Sequence, residues 1–266
     1  MPNYLIINGS PHRGNTWALV SQIKKTIADL SPESVFEEIE LTDLNLPFCT
    51  GCSLCFRKGR EFCPHHKIMN TVFERIEWCD GLIFATSTFN MHPAALTKNL
   101  VDHFCFMLHR PHFFTKKALI ISTTAGIGAD KAVKYIDGTL RGMGFNKCYQ
   151  FPAATHSWNA YSPDGRMVNK CGKIAKKFHS DVASMKKHAP RWLILIPYNL
   201  FRGMSLGYLK GTEFEYMDGA HWSDPVRTGK VYDSAIPVPF YKIPFGSLFY
   251  FIGKLAPKFI TITYRK

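Results

Sequence analysis

Tyr4-Leu5-Ile6-Ile7, followed at once by Asn8-Gly9-Ser10-Pro11-His12-Arg13-Gly14-Asn15-Thr16, constrains this chain more than any other stretch. Four consecutive apolar residues predict a buried parallel strand, because both of its faces must be covered. Thr16 caps an expected helix whose Leu19, Ile23 and Ile27 share one side. A strand, a small polar loop and a helix N-terminus together make an anion site: the loop N–H groups converge and the helix dipole favours negative charge. The loop lacks the Gly-Lys-Ser/Thr ending of a Walker A motif and the Gly-x-Gly-x-x-Gly spacing of a dinucleotide fingerprint. Hydroxyls and amides without lysine suit a phosphate monoester held without metal.

The alternation of patterns predicts an α/β fold. Strands are expected at 4–8, 35–41, 81–86, 117–123 and 145–151. Helices are expected at 16–29, 68–79, 94–108, 129–142 and 166–187, giving a doubly wound five-stranded parallel sheet covered on both faces. Ligands in such sheets bind at the carboxyl ends of the strands. Two further loops stand there: Ser87-Thr88-Phe89-Asn90, and Thr124-Ala125-Gly126-Ile127-Gly128. A phosphate monoester spanning three strand-end loops points to flavin mononucleotide.

Gly9-Ser10-Pro11 with Gly14-Asn15-Thr16 resembles the phosphate loop of the flavodoxin-like, NADPH-dependent FMN reductase family. Ala85 to Asn90, followed by Leu96-Thr97-Lys98 and Asp102, is similar to the segment which that family sets beside the flavin ring. Ser87 stands where proline is usual and Phe89 where tyrosine is usual. The resemblance covers residues 1–185 and implies a flavodoxin-like fold. It also implies an FMN-dependent oxidoreductase that draws hydride from NAD(P)H and reduces a quinone, flavin, nitro compound or metal ion. Ser10, His12, Asn15, Thr16 and Trp17 are expected at the phosphate. Ser87, Thr88, Phe89, Asn90, Thr124, Ala125, Gly126 and Gly128 are expected at the ring. No catalytic side chain is implied, since the cofactor carries the chemistry.

Cys49, Cys52, Cys55 and Cys63 form a C-x2-C-x2-C-x7-C run in the loop after the second strand. Thiols at this spacing on a turn can converge, and Cys63-Pro64 echoes the terminal Cys-Pro of bacterial ferredoxins. The run and its place resemble those of the iron–sulfur flavoproteins, a branch of the same family. The resemblance implies a [4Fe-4S] cluster on these four cysteines and an alternative role as an electron carrier partnered by ferredoxin. Zinc, redox-active thiols and a metal-free loop stay open, as does a non-catalytic flavin- or metal-binding module. His65 and His66 are adjacent and are read as surface or cofactor-facing residues, His92 as one able to approach the flavin. Cys79, Cys105, Cys148 and Cys171 are read as small core or boundary residues. A Gly-x-Ser-x-Gly elbow, the mark of many serine hydrolases, does not occur.

Charge and cysteine usage set the remaining bounds. Residues 1–100 carry nine Lys/Arg against ten Asp/Glu, and the rest twenty-four against ten, so the formal net charge of +13 arises beyond residue 100. Such a balance suits nucleic acid, an acidic redox partner, an anionic membrane or a phosphorylated cofactor such as NADPH, and is equally the mark of a plain basic surface. No nucleic-acid module accompanies it. With no leader pattern at the start, eight cysteines read as reduced thiols or ligands in a cytoplasmic protein. Residues 1–188 are expected to form the flavodoxin-like domain and 189–266 an aromatic, basic extension. The apolar runs Trp192–Leu209 and Pro237–Ile262 are interrupted by Arg202, and by Pro244, Lys254, Pro257 and Lys258, so neither reads as a membrane span. The readings for this extension are a wrap over its own domain, a homodimerisation arm, or an interfacial basic segment; the first two together are favoured.

Overall fold

The apolar alternation along the strands divides the interior into two cores. In a computed structural model, which describes residues 1–207, 211 and 215–259, β1 (Asn3–Asn8) sends Leu5 and Ile7 to one face of the sheet and Tyr4 and Ile6 to the other. The elements then run α1 (Asn15–Leu30), β2 (Val35–Glu40), the short α2 (Leu54–Arg57), α3 (His66–Trp78), β3 (Gly81–Phe89), β4 (His92–Pro93), α4 (Ala95–His103), β5 (Lys117–Thr124), α5 (Ala129–Gly142), β6 (Lys147–Ala154) and α6 (Gly165–Ala183). Five strands are parallel in the order β2-β1-β3-β5-β6, and β4 is a two-residue antiparallel return on β3.

Leu82, Phe84 and Ile120 join Leu5 and Ile7 under α3, α4 and α5. Ile83, Leu119 and Ile121 join Tyr4 and Ile6 under α1 and α6. Such strands cannot sit at a wet surface, which is why their apolar runs are continuous. The order reverses between β1 and β3, so the loops after these strands diverge and leave a crevice.

Four element ends differ from the sequence expectation by three residues or more; among them β3 runs on to Phe89, beyond the expected 86, and α6 stops at Ala183, short of the expected 187. The helix expected over 94–108 ends at His103, and a 3-10 turn covers Cys105–Leu108. The last strand runs to Ala154, three residues beyond the expected end, because it stays paired with β5 through Thr124↔Ala154.

The C-terminal extension is helical: α7 (Trp192–Met204), the short α8 (Ala220–Ser223) and α9 (Ile243–Leu255). Leu209 and the stretch 260–262, at the ends of the two apolar runs, lie outside the described residues. The extension lies on its own domain through a third apolar cluster, in which Phe114 meets Leu195, Tyr198, Trp222, Tyr232 and Ile236. Arg110, from the turn after α4, pairs with the buried Asp218, and His109 Nδ1 approaches the same carboxylate at 3.0 Å. Burial works to raise the Asp218 pKa, but His109 and Arg110 outweigh it and hold the carboxyl below its usual range.

Candidate functional site

The ends of β1, β3, β5 and β6 surround a cavity of about 320 Å³. It is lined by Ser10, His12, Gly14, Asn15 and Thr16 from the first loop, Ser87, Thr88 and Phe89 from the second, and Thr123, Thr124, Ala125 and Gly126 from the third. Ser157 and Trp158, after β6, complete it. Its volume falls at the low end of the range for small-molecule sites.

The first loop is fixed from beneath. Gly9 N–H donates to the Ala85 carbonyl at 2.8 Å, and Ser10 N–H donates to Asn8 Oδ1 at 3.1 Å. Arg13 is drawn out of the anion position: it pairs with Glu38 and Glu40 and lies 3.8 Å over the Trp17 ring. Trp17 therefore stands beside the loop as a platform for Arg13 and does not line the cavity. Thr16, expected as the cap of α1, lies inside the helix; Gly14 holds the cap position, and no side chain caps that helix. Its first N–H groups are left for a ligand to satisfy.

Asn15 and Thr16 tie loops together. Asn15 Nδ2 donates to Thr155 Oγ1 (3.2 Å) and the Ser157 carbonyl (2.7 Å), while its Oδ1 accepts from Tyr161 N–H (3.1 Å). The Thr16 and Thr123 hydroxyls meet at 2.6 Å, and those of Thr88 and Ser122 at 2.7 Å. Among the described residues, the buried hydroxyls of Ser10 and Ser87 have no protein partner. Two orphaned donors in one wall are costly unless a ligand completes them.

Asn90 and Gly128 lie outside the lining. Asn90 sits at the tip of the β3–β4 return with φ 48°. Gly128 takes φ +98°, and a Cβ there would come 2.9 Å from Met91 Cα, so glycine lets the third loop close on that return. Sequence reasoning missed Ser157 and Trp158. Its last strand stopped short of the loop that carries them; the strand-end rule applied at Ala154 would have reached them.

The cysteines share a second, smaller pocket of about 50 Å³. Cys49, Cys52, Cys55 and Cys63 all line it, together with Cys105, His65, His103 and Asp102. Cys105, read from sequence as a core or boundary residue, is half-buried, and the structure adds that it faces this pocket. Cys55 and Cys105 are hydrogen-bonded thiols. That bond, reinforced by burial, raises the Cys55 pKa; it lowers that of Cys105, where burial works the other way. Burial also raises the Cys63 pKa, and the other thiols push the same way. His103 Nδ1 faces the Asn99 carbonyl at 2.8 Å, so its Nε2 accepts from His65 Nδ1 at 2.9 Å. Arg110 donates to the Cys55 carbonyl at 2.5 Å, which links this loop to the Asp218 ion pair.

Among the described residues, no three His, Cys, Asp or Glu side chains converge on a single ion. Cys79, Cys148 and Cys171 are buried in the cores, as expected from their positions. His92 is exposed on β4, its ring 6.3 Å from Tyr135, and does not line the cavity.

A family model described as NADPH-dependent FMN reductase matches residues 2–156. An iron–sulfur flavoprotein of Clostridioides difficile is 26% identical over 174 residues, covering 65% of this chain and 76% of that protein. An iron–sulfur flavoprotein of Archaeoglobus fulgidus is 31% identical over 98 residues, covering 37% of this chain and 46%, about half, of its own length. An FMN-dependent NADH-azoreductase of Bacillus anthracis, solved in complex with FMN, superposes with a TM-score of 0.51 at 15% identity. That alignment covers 70% of this chain and 99% of the other, a likeness of fold.

Proposed function

For a chain that belongs to the NADPH-dependent FMN reductase family, and is thereby an FMN-dependent oxidoreductase, we propose that the four-loop cavity is the flavin site and the cysteine pocket a [4Fe-4S] site. The observation that carries the flavin assignment is the pair of buried, unpartnered hydroxyls, Ser10 and Ser87, in the wall that also holds the uncapped start of α1. Ser10 Oγ and the first N–H groups of α1 are suited to a phosphate dianion. Ser87 and Thr88 stand on the second loop, where Phe89 and the fully exposed Trp158 offer flat apolar surface to a ring. Asn15 and Thr16 contribute by position, holding the 155–161 segment and β5 against the phosphate end.

Bound there, FMN supplies hydride acceptance from NAD(P)H and onward release of electrons to an acceptor. The lining residues orient and desolvate. His12 is the one ionisable side chain among them, and it is exposed. The chain's role is therefore electrostatic and geometric, with no side chain placed as an obligatory acid or base. The open, aromatic-edged mouth favours a flat acceptor of the quinone or flavin class.

Cys49, Cys52, Cys55 and Cys63 would hold the cluster. The donor set is rich in soft thiolates, with a single carboxylate, Asp102, at its edge, which suits iron–sulfur chemistry. The cluster would supply one-electron transfer, linking the flavin to a carrier such as ferredoxin.

The test is an absorbance spectrum of anaerobically purified protein, with flavin, iron, sulfide and zinc analysis. Flavin bands over a broad visible shoulder, with about four irons per chain, support both assignments. Flavin without iron leaves the oxidoreductase and removes the cluster. Failure to retain or reconstitute flavin overturns the cavity assignment.

A further inference from the structure

The most apolar helix of the extension is also one of its most exposed. Only Gly246 and Gly253 of α9 are buried. Gly253, with Gly203 of α7, lets the two helices meet backbone to backbone: a methyl on Gly253 would overlap the Leu200 carbonyl, and one on Gly203 the Tyr250 carbonyl, while Gly246 packs on the Val231 and Asn199 side chains. Beside this strip Phe245 packs on Trp192 and Tyr250 lies under the Arg202 guanidinium, but other large side chains face outward. Leu248, Phe251, Ile252 and Leu255 follow one another at helical spacing and are all exposed, and Phe259, 85% exposed, continues the stripe past the helix end. A monomeric protein rarely leaves such a contiguous apolar face in water.

The charges around the stripe identify what it meets. Lys254 and Lys258 are exposed beside Phe251 and Leu255. From Ser234 to Lys266 the sequence holds five Lys/Arg and no Asp or Glu. At the other end of α9, Trp192 and Tyr241 lie 6.0 Å apart with Lys242 over the indole at 5.4 Å. An apolar stripe edged by amphipathic aromatics and lysines is the arrangement of a helix lying in a membrane interface. A second copy of the chain fits less well. A two-fold contact brings the same patch against itself, and this segment holds no carboxylate to meet its own lysines. A crossing is ruled out for the described residues, where no helix is long and apolar enough to span a bilayer.

We propose that α9, with the start of α7, is a surface anchor that seats the protein on an anionic lipid bilayer. The stripe enters the headgroup–acyl boundary while Lys254 and Lys258 remain at the phosphates. At about 20 Å long, α9 suits lying in the plane of the interface.

The test is co-sedimentation of the full-length protein with vesicles of phosphatidylcholine alone and of phosphatidylcholine mixed with phosphatidylglycerol. Binding to the mixed vesicles, weakened by salt, is the expected result. K254Q combined with K258Q should weaken that binding about thirtyfold. F251S should weaken it about tenfold or more. Both changes lie on the surface, so flavin absorbance and circular dichroism should be retained in each variant, which separates lost binding from lost folding. Absence of binding to mixed vesicles, or equal binding to the neutral ones, overturns the proposal. So does concentration-dependent self-association that F251S abolishes in a protein that ignores vesicles.

Discussion

The flavodoxin-like core and the C-terminal extension are both rich in apolar residues, yet they use them in opposite ways. On α6, Cys171, Ala175, Phe178 and Val182 form one buried line, and the lysines take the other side. On α9 the fully buried residues are two glycines, and Leu248, Phe251, Ile252 and Leu255 point out. Apolar composition alone thus predicts burial poorly; a polar face opposite the apolar one is what shows that a helix has an inside. The core is secured by apolar area; the extension joins it through one apolar cluster around Phe114 and the ion pair at Asp218, while Asn199 and Arg202 tie the extension to itself.

The sharpest way to break this contrast is to truncate one aromatic in each region. Phe178 is fully buried between Tyr4 and Tyr149, and F178A should cost about 3–5 kcal/mol in urea denaturation of the whole domain. A cost below about 1 kcal/mol would mean that α6 is not integral to the core.

Next in size is the ion pair that joins the two regions. D218N leaves the Arg110 guanidinium buried without its charge partner, at a cost of about 3 kcal/mol. The loss should show in hydrogen exchange as opening of α7 and α8 while the strands stay protected. Equal loss of protection in β3 and β5 would refute the separation of the two regions. Acid should act in the same place. Burial first, then the positive charge of Arg227, holds His221 at about 3, far below an ordinary imidazole, and Asp218 is depressed as well. Both groups bind more protons unfolded than folded, so their stabilisation is complete above pH ~6.5 and declines as the pH falls toward 3. Tryptophan fluorescence, which includes Trp222 beside His221, should report the extension loosening in that window before the sheet unfolds. Coincident transitions would count against this account.

The cavity proposed for flavin belongs to the core, yet it holds two unsatisfied hydroxyls, Ser10 and Ser87. S10A and S87A should each weaken FMN binding about tenfold, by loss of one hydrogen bond to a charged or strongly accepting group. Stability without flavin should stay the same or rise slightly, since an orphaned hydroxyl is removed. Unchanged affinity in both variants would place the flavin elsewhere. Equilibrium titration of the apoprotein with FMN measures this directly.

How much of this was legible in the sequence follows the same divide. Strands with continuous apolar runs, such as Ala118–Ile121, and helices with one apolar side, such as Ala129–Gly142, were readable because burial on fixed periods leaves a periodic trace. The loops at the strand ends were readable from position. Ser157 and Trp158 were not, because Pro152 made β6 look finished while edge pairing with β5 carried it to Ala154. The place of Cys105 in the pocket was hidden for a different reason: it opens the 3-10 turn just past α4, fifty residues beyond Cys55, and only tertiary folding sets its thiol against that of Cys55. The extension gave no period to read, since α9 is apolar nearly all round.

The smallest expected effect is the one that defines the extension. L248S removes an exposed leucine from α9, a residue the apolar sequence pattern would have assigned to a core. In solution nothing is lost to water that was not already there, so the change in unfolding free energy should lie within about 0.5 kcal/mol. A cost of about 2 kcal/mol or more in thermal unfolding would mean that Leu248 is covered in the free protein, whether by the residues after Phe259 or by another copy. The core–extension contrast would then collapse into a single rule of burial. A neutral result instead means that the outward face is not held for folding, and its apolar character is left to be explained by what the protein touches.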